Sequence, residues 1–370
     1  MAMADVIMTV EGKNVEDFRK NLLKWYDRHR RAMQWRALPA QKPNPYHVWM
    51  SEIMLQQTTV QAVGPYFMKF IEKWPDIHAL ASARSEDIME AWAGLGYYTR
   101  ARNLHKCAVH VAERLGGSFP EEAAELKKLP GIGDYTCEAV AAIAFNRPAN
   151  VVDGNVERVM ARIFAVTEPM PDCKPRLKDL AGQTAAGEKK RPGDYAQSLM
   201  DLGATICTPT SPKCMLCPVI DFCSARAKGI EASLPARKPK AARPQKHGYV
   251  YWITDGQGSV LFERRAEKGM LAGTIGLPTS EWVEKATEKT HLPLKLTRGG
   301  KAVVGPPWER TAVSVKHTFT HFDLELSGYA ACVAQGKALE AMGGYFWVPG
   351  DRAKSLGLPT VFKKALRQFI

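Results

Sequence analysis

Cys207-Thr-Pro-Thr-Ser-Pro-Lys-Cys214-Met-Leu-Cys217-Pro-Val-Ile-Asp-Phe-Cys223 sets four cysteines at C-x6-C-x2-C-x5-C. A tight C-x2-C turn with one cysteine on either flank can close four thiolates around a single metal centre. All-cysteine iron–sulfur clusters and structural zinc sites both use such spacing, which does not by itself choose between them. The other cysteines, Cys107, Cys137, Cys173 and Cys332, are scattered singly. That scatter is unlike the dense disulfide framework of a small secreted scaffold.

Working outward, 370 residues predict two or three domains, and 45% apolar residues are enough for real cores. A formal net charge of +13 favours a polyanionic partner, either nucleic acid or an anionic membrane face. No apolar run approaches the roughly 18 residues of a membrane span. The stretch Met1–Lys13 carries Asp5 and Glu11 and lacks the basic-then-apolar layout of a signal peptide. These features predict a protein of a reducing compartment, the cytoplasm or bacterial nucleoid, with no membrane partner.

From Asn14 to about Ile230 the apolar residues recur at helical spacing. Val15, Phe18, Leu22, Trp25 and Tyr26 follow a capping Asn14, and Val48–Val63, Ser85–Ala93, Ala101–Leu115, Tyr135–Phe145 and Val156–Val166 behave alike. Residues 1–225 therefore read as a helical domain. Residues 226–246 hold seven Lys or Arg against one Glu, with Pro235, Pro239 and Pro244, the composition of an extended basic linker. From 247 to 370 the texture is β-rich. Tyr249–Thr254 and Ser259–Phe262 flank an Asp255-Gly256 turn signal, His317–Ser327 alternates, and Val361–Ile370 reads as a closing helix. This half is a second, α+β domain.

Two motifs carry chemistry. Leu129-Pro-Gly131-Ile-Gly133-Asp134 sits between helical patterns. Two glycines around one apolar residue suit a helix–hairpin–helix turn whose following helix exposes backbone N–H groups to phosphate. Asp153 then stands just ahead of a helix, eighteen residues after Tyr135. Asp153 or Asn155 can simply cap that helix. Glu52 lies among Val48, Trp49, Ile53 and Met54, where desolvation should raise its pKa.

Together, a helix–hairpin–helix, a following Asp and the four-cysteine loop resemble the endonuclease III superfamily of DNA glycosylases. Within it, Ser51-Glu52-Ile-Met-Leu-Gln-Gln57-Thr58 and Gly94-Leu95-Gly-Tyr97-Tyr-Thr-Arg100 resemble the MutY-type adenine DNA glycosylases, and the likeness spans nearly the whole chain. The resemblance implies a [4Fe–4S] cluster on Cys207, Cys214, Cys217 and Cys223, and a duplex DNA substrate with adenine opposite 8-oxoguanine or guanine. It makes Glu52 the general acid that protonates adenine and later the base for water, with Asp153 stabilising the sugar cation. At about 4 Å and an effective dielectric near 20, that last attraction is roughly 4 kcal/mol. Bifunctional relatives carry a lysine after the hairpin. Here it is Tyr135, which implies base removal without efficient strand cleavage, the tyrosine packing beside the sugar and bonding near Asp153. The rival within the superfamily is a bifunctional glycosylase/AP lyase; outside it, a non-catalytic DNA reader.

The resemblance extends to binding. Adenine must leave the duplex to be cut. Gln57, Leu95 and Tyr97 match positions that wedge into the stack, Trp35 and Arg36 match the adenine pocket, and Thr58, Gly131, Gly133 and Asn155 belong to the DNA-binding frame. The second domain resembles a MutT/Nudix fold without the acidic pattern that holds Mg²⁺, so it should recognise rather than catalyse. Phe319-Thr320-His321 falls where the family carries a Phe-Ser-His loop that reads 8-oxoguanine, with threonine keeping the hydroxyl and adding a methyl. A monomer is expected.

Overall fold

Asn14 begins the first helix as its sequence predicts: its side chain accepts the Glu16 amide, and Val15, Phe18, Leu22 and Tyr26 turn inward behind it. A computed structural model describes residues 9–10, 13–39, 41–239, 242–266, 269–285, 296–298, 301–304, 308–333 and 344–370. The chain divides into two units, Met1–Ser82 with Asn103–Lys240, and Ala83–Arg102 with Ala241–Ile370. Among the described residues no helix is long and apolar enough to cross a membrane.

The first unit is helical. After a small pair of strands, β1 (Thr9–Val10) and β2 (Lys13–Asn14), come α1 (Val15–His29), α2 (Pro45–Leu55), α3 (Val60–Lys73) and α4 (Ile77–Ala81). The chain then contributes α5 (Ser85–Trp92) to the second unit, and α6 (Thr99–Arg114) brings it back. The remainder is α7 (Ala123–Leu126), α8 (Asp134–Phe145), α9 (Gly154–Ile163), α10 (Lys174–Ala185), α11 (Pro192–Thr205) and α12 (Ser224–Ala227). The helical run expected over 48–63 is broken: Gln57 takes φ 56°, and Thr59 caps a new helix by accepting the Ala62 amide. Phe18, Leu22, Val156, Met160, Leu199, Leu202 and Phe222 share one core, so α1, α9 and α11 are fixed against one another and against the cysteine loop.

Residues 226–246 are not an extended tether throughout. Leu234 is buried and its carbonyl accepts Arg162 Nε at 3.0 Å, while the Met170 amide donates to Ala236 O at 2.8 Å. Composition favours an open chain there, but one buried leucine and two hydrogen-bonded carbonyls pin the first half down. The second half runs into β3 (Gln245–Thr254).

The second unit centres on a mixed sheet in the order β10-β4-β3-β9-β8, with β5 beside β4. Its strands are β3, β4 (Ser259–Arg264), β5 (Ile275–Gly276), β8 (Glu309–Thr318), β9 (Asp323–Cys332) and β10 (Tyr345–Pro349). A separate pair, β6 (Leu296–Arg298) and β7 (Lys301–Val304), is antiparallel. Strand alternation puts Val250 into a core with Val315, Leu324 and the closing helices α13 (Gly350–Ala353) and α14 (Thr360–Phe369), and Tyr251 and Ile253 into another on the opposite face. The expected strand over 317–327 is two strands joined by a turn at 319–322, because apolar alternation continues across the corner. Asp255 forms the expected turn, its Oδ1 accepting the amides of Gln257 and Ser259.

Helix α11 crosses its neighbours closely through glycine. A Cβ on Gly203 would lie 2.6 Å from Asn155 Cβ, and one on Gly193 2.4 Å from Ala142 O. Gly203→Ala should therefore destabilise the fold by about 1–3 kcal/mol through overpacking, read as a lower denaturant midpoint. Gly154→Ala, which meets nothing within 4 Å, should leave that midpoint nearly unchanged.

Candidate active site

Helices α2, α8 and α9 bring Glu52, Tyr135 and Asp153 together. Glu52 is 6% exposed, and its neighbours Trp49, Met50, Ile53 and Met54 are buried with it. Burial pushes its carboxyl up to about 7. The Tyr135 hydrogen bond and the Arg36 charge pull it down, while the charge of Asp153 pushes it further up. A carboxyl poised there can give and take a proton near neutral pH.

Tyr135, in the first turn of α8, donates from its hydroxyl to Glu52 Oε2 at 2.8 Å. The sequence reading placed this bond near Asp153. The structure gives it to Glu52. Asp153 caps α9: its Oδ1 accepts the amides of Asn155 (2.9 Å) and Val156 (2.8 Å), and Oδ2 accepts Asn155 Nδ2 (2.8 Å). A carboxylate offers about four lone-pair sites, so capping leaves it acceptor capacity to spare. Burial, with the charges of Glu52 and Asp153, holds the Tyr135 hydroxyl well above its ordinary range, so it stays a donor.

Arg36 is committed elsewhere. Its guanidinium forms a fork onto Asp201, with Nη1 to Oδ2 at 2.7 Å and Nη2 to Oδ1 at 2.8 Å, and Arg31 Nε reaches Oδ1 at 2.7 Å. Burial opposes ionisation of Asp201, but the Arg36 bonds and charge outweigh it and hold the carboxyl below the usual range. Trp35 is buried edge-on against Phe67, ring centroids 5.5 Å apart. Asp201 and Arg31 were missed from sequence; the signal was an acid set between Met200 and Leu202, as Glu52 is set in α2.

The hairpin behaves as its glycines predict. Gly131 has φ 77°, Leu129 and Ile132 are buried, and Gly133 caps α8 with no side-chain acceptor, so the first N–H groups of the helix stay open. Gln56 Nε2 donates to Thr136 Oγ1 at 3.1 Å, tying the turn that carries Gln57 and Thr58 to the first turn of α8. Gln57 is exposed and Thr58 half-buried.

A polar path joins Asp153 to the cysteine loop. Asn155 Oδ1 accepts Arg158 Nη2 at 2.9 Å, and Arg158 also donates to Gly203 O and Cys207 O, each at 2.8 Å. One turn on, Arg162 is 1% exposed and donates to Cys207 Sγ at 3.2 Å and Thr208 O at 2.8 Å. Cys207, Cys214, Cys217 and Cys223 line one cavity with Val159, Ile163 and Ile206. Among the described residues no side chains converge at metal-bonding distance, so the cavity defines the donor set rather than a bond geometry. Burial pushes the Cys217 thiol up to about 12, with its cysteine neighbours adding to the rise. Four sulfurs in so dry a cavity suit a thiolate-bound cationic centre, with Arg162 supplying an N–H to sulfur.

In the second unit, Gly94 (φ 113°), Gly96 (φ 71°) and Tyr97 (φ 49°) form a left-handed loop. Trp92 Nε1 donates to Gly96 O at 3.0 Å, Leu95 is buried, and Tyr97 is 48% exposed. Leu95 is thus packed inward rather than projecting as a wedge, whereas Tyr97 projects. The Tyr97 hydroxyl lies 2.9 Å from Thr320 Oγ1 and so meets the Phe319-Thr320-His321 turn.

Comparison with known proteins agrees with this layout. Residues 50–179 match the HhH-GPD superfamily of base excision DNA repair proteins, 207–223 the iron–sulfur binding domain of endonuclease III, and 249–368 the NUDIX domain. The adenine DNA glycosylase of Rattus norvegicus is 33% identical over 408 residues, covering 96% of this chain and 78% of that protein. The Homo sapiens adenine DNA glycosylase is 32% identical, covering 96% and 74%. That of Buchnera aphidicola (strain Sg) is 30% identical, covering 95% and 98%. A thermostable thymine-DNA glycosylase of known structure is 29% identical with a TM-score of 0.51, covering 58% of this chain and 97% of that one. The chain belongs to the MutY-type adenine DNA glycosylase family, enzymes of base excision repair, and carries that family's endonuclease III iron–sulfur domain and Nudix-like C-terminal half.

Proposed function

We propose that the protein removes adenine paired with 8-oxoguanine, or with guanine, from duplex DNA by acid-assisted hydrolysis and does not cleave the strand. The observation that carries this reading is the buried Glu52 carboxyl, poised at about 7 and held by Tyr135 beside Asp153. Tyr135 occupies Oε2, so a proton on Glu52 belongs on Oε1, free to be donated to a ring nitrogen of the flipped adenine. Protonation makes adenine the better leaving group. The Asp153 carboxylate, fixed by three N–H donors, faces the developing sugar cation. Glu52, now ionised, then takes the proton of the attacking water. No amine stands at position 135 to trap the sugar as a Schiff base.

Trp35 walls the adenine pocket, and Arg36, engaged with Asp201, contributes its charge there. Gln57 and Tyr97 enter the stack, Thr58 binds beside Gln57, and Leu95 backs the Tyr97 loop. The open N–H groups after Gly131 and Gly133 take a phosphate, and Asn155 holds Asp153. Phe319, Thr320 and His321 read the lesion. Cys207, Cys214, Cys217 and Cys223 hold a [4Fe–4S] cluster, which when bound orders the loop that Arg158 and Arg162 grip. The protein works as a monomer in the cytoplasm or nucleoid.

Single-turnover cleavage of a duplex bearing one adenine:8-oxoguanine pair should give strand breaks only after alkali; breaks without alkali would overturn the monofunctional reading. Glu52→Gln should bind the duplex yet lose about 10²–10⁴ in rate. Since the protonated Glu52 is the active form, the rate should be flat below about pH 7 and fall about tenfold per pH unit above it. Tyr135→Phe removes a bond that lowers the Glu52 pKa, so this falling limb should move to higher pH; a shift downward would refute the assignment.

A further inference from the structure

The turn between β8 and β9 presents Thr320 and His321 to solvent but folds Phe319 inward. The Phe319 amide closes the turn on Phe322 O at 2.9 Å. Its ring stacks on Trp282, centroids 5.6 Å apart and planes 28° from parallel, and lies 5.0 Å from Phe322. Phe319 therefore anchors the turn, and Trp282 is one of the surfaces it is anchored to.

Trp282 is itself held from several directions. The segment 279–283 runs antiparallel beside β3, bridging Thr279 to Val250 and Val283 to His247. A Cβ on Gly248 would lie 2.9 Å from Trp282 Cδ1, so that glycine makes room for the indole. The Arg265 guanidinium sits over the ring at 5.3 Å and is fixed by Glu263 Oε1 at 3.0 Å and Thr279 Oγ1 at 3.1 Å. Trp282 and Phe322 also line a cavity of about 680 Å³, so part of their surface has no packed layer behind it. Phe319 also meets His317, within β8 itself, at 4.6 Å between centroids, so the indole is the support that reaches the turn from the 279–283 segment.

We propose that Trp282, braced by Arg265, is the positioning residue that holds the Phe319-Thr320-His321 turn in register and thereby sets the preference for oxidised guanine opposite adenine. This rests on the reading of Thr320 as the group that meets the lesion. Trp282 belongs to the second unit and Glu52, Tyr135 and Asp153 to the first, so its loss should change discrimination and leave basal turnover in place.

The test is the single-turnover rate of adenine removal opposite 8-oxoguanine and opposite guanine, measured on the full-length protein. Trp282→Ala should lower the ratio of the two rates about tenfold, the worth of one good aromatic contact, with the guanine rate within about threefold of the parent. Trp282→Phe should restore most of the ratio, and Arg265→Gln should lower it in the same direction but less. An unchanged ratio in Trp282→Ala, or both rates falling together, overturns the proposal, the second outcome marking a merely structural residue. Thr320→Ala separates the two readings. If that variant leaves the ratio unchanged, lesion reading by the turn fails, whereas a ratio that falls in Thr320→Ala but not in Trp282→Ala rejects the positioning role alone.

Discussion

Removing one carboxyl from water is the constraint around which the first unit is arranged. Glu52 sits in a stretch of α2 whose side chains from Tyr46 to Met54, His47 aside, are buried, and an ordinary carboxylate there would be strongly penalised. The protein answers with a donor on one oxygen, Tyr135, and a cation, Arg36, near enough to moderate the shift. Arg36 is in turn neutralised by Asp201, which Arg31 shares. Breaking such a buried network by deleting one charge leaves another uncompensated. The polar groups are thus satisfied as a set, and among the described residues the set places its hydrogen bond to Glu52 on Oε2 and leaves Oε1 open.

Helix α9 connects that set to the cysteine loop. Its cap is Asp153, its first turn carries Asn155, and Arg158 and Arg162 follow one and two turns later on the same side, both reaching residues around Cys207. A helix has few ways to deform between its cap and its second turn. The loop and the carboxylate therefore share one rigid element, and Gly203 lets α11 press against Asn155 from outside. Position, rather than any special chemistry of α9, is what these arginines supply.

Much of this was legible in the sequence where a signal is local. Asn14, the hairpin glycines, the Asp255 turn, the cysteine spacing and the acid inside an apolar helix each depend on neighbours a few residues away. What escaped depends on distant partners. Asp201 matters because Arg31 and Arg36, 165 or more positions earlier, fold onto it. Tyr135 bonds Glu52, 83 positions earlier on another helix, a partner that no spacing records. Residues 317–327 alternate like one strand although Phe319 and Phe322 close a turn within them. The basic stretch after Arg226 has the composition of a tether, and only the buried Leu234 shows that it is fastened.

Gln57 and Tyr97 are both exposed, and both hold left-handed backbone angles that favour glycine. Tyr97 has some return for that choice, since its hydroxyl meets Thr320 and the Arg100 guanidinium lies over its ring. A chain selected for folding stability alone would carry glycine at both places. The glutamine and the tyrosine therefore carry a backbone cost that glycine would not. Relaxing the scaffold by glycine substitution would thus have to give up, at position 97, the one side-chain contact described between the Gly94–Tyr97 loop and the β8–β9 turn.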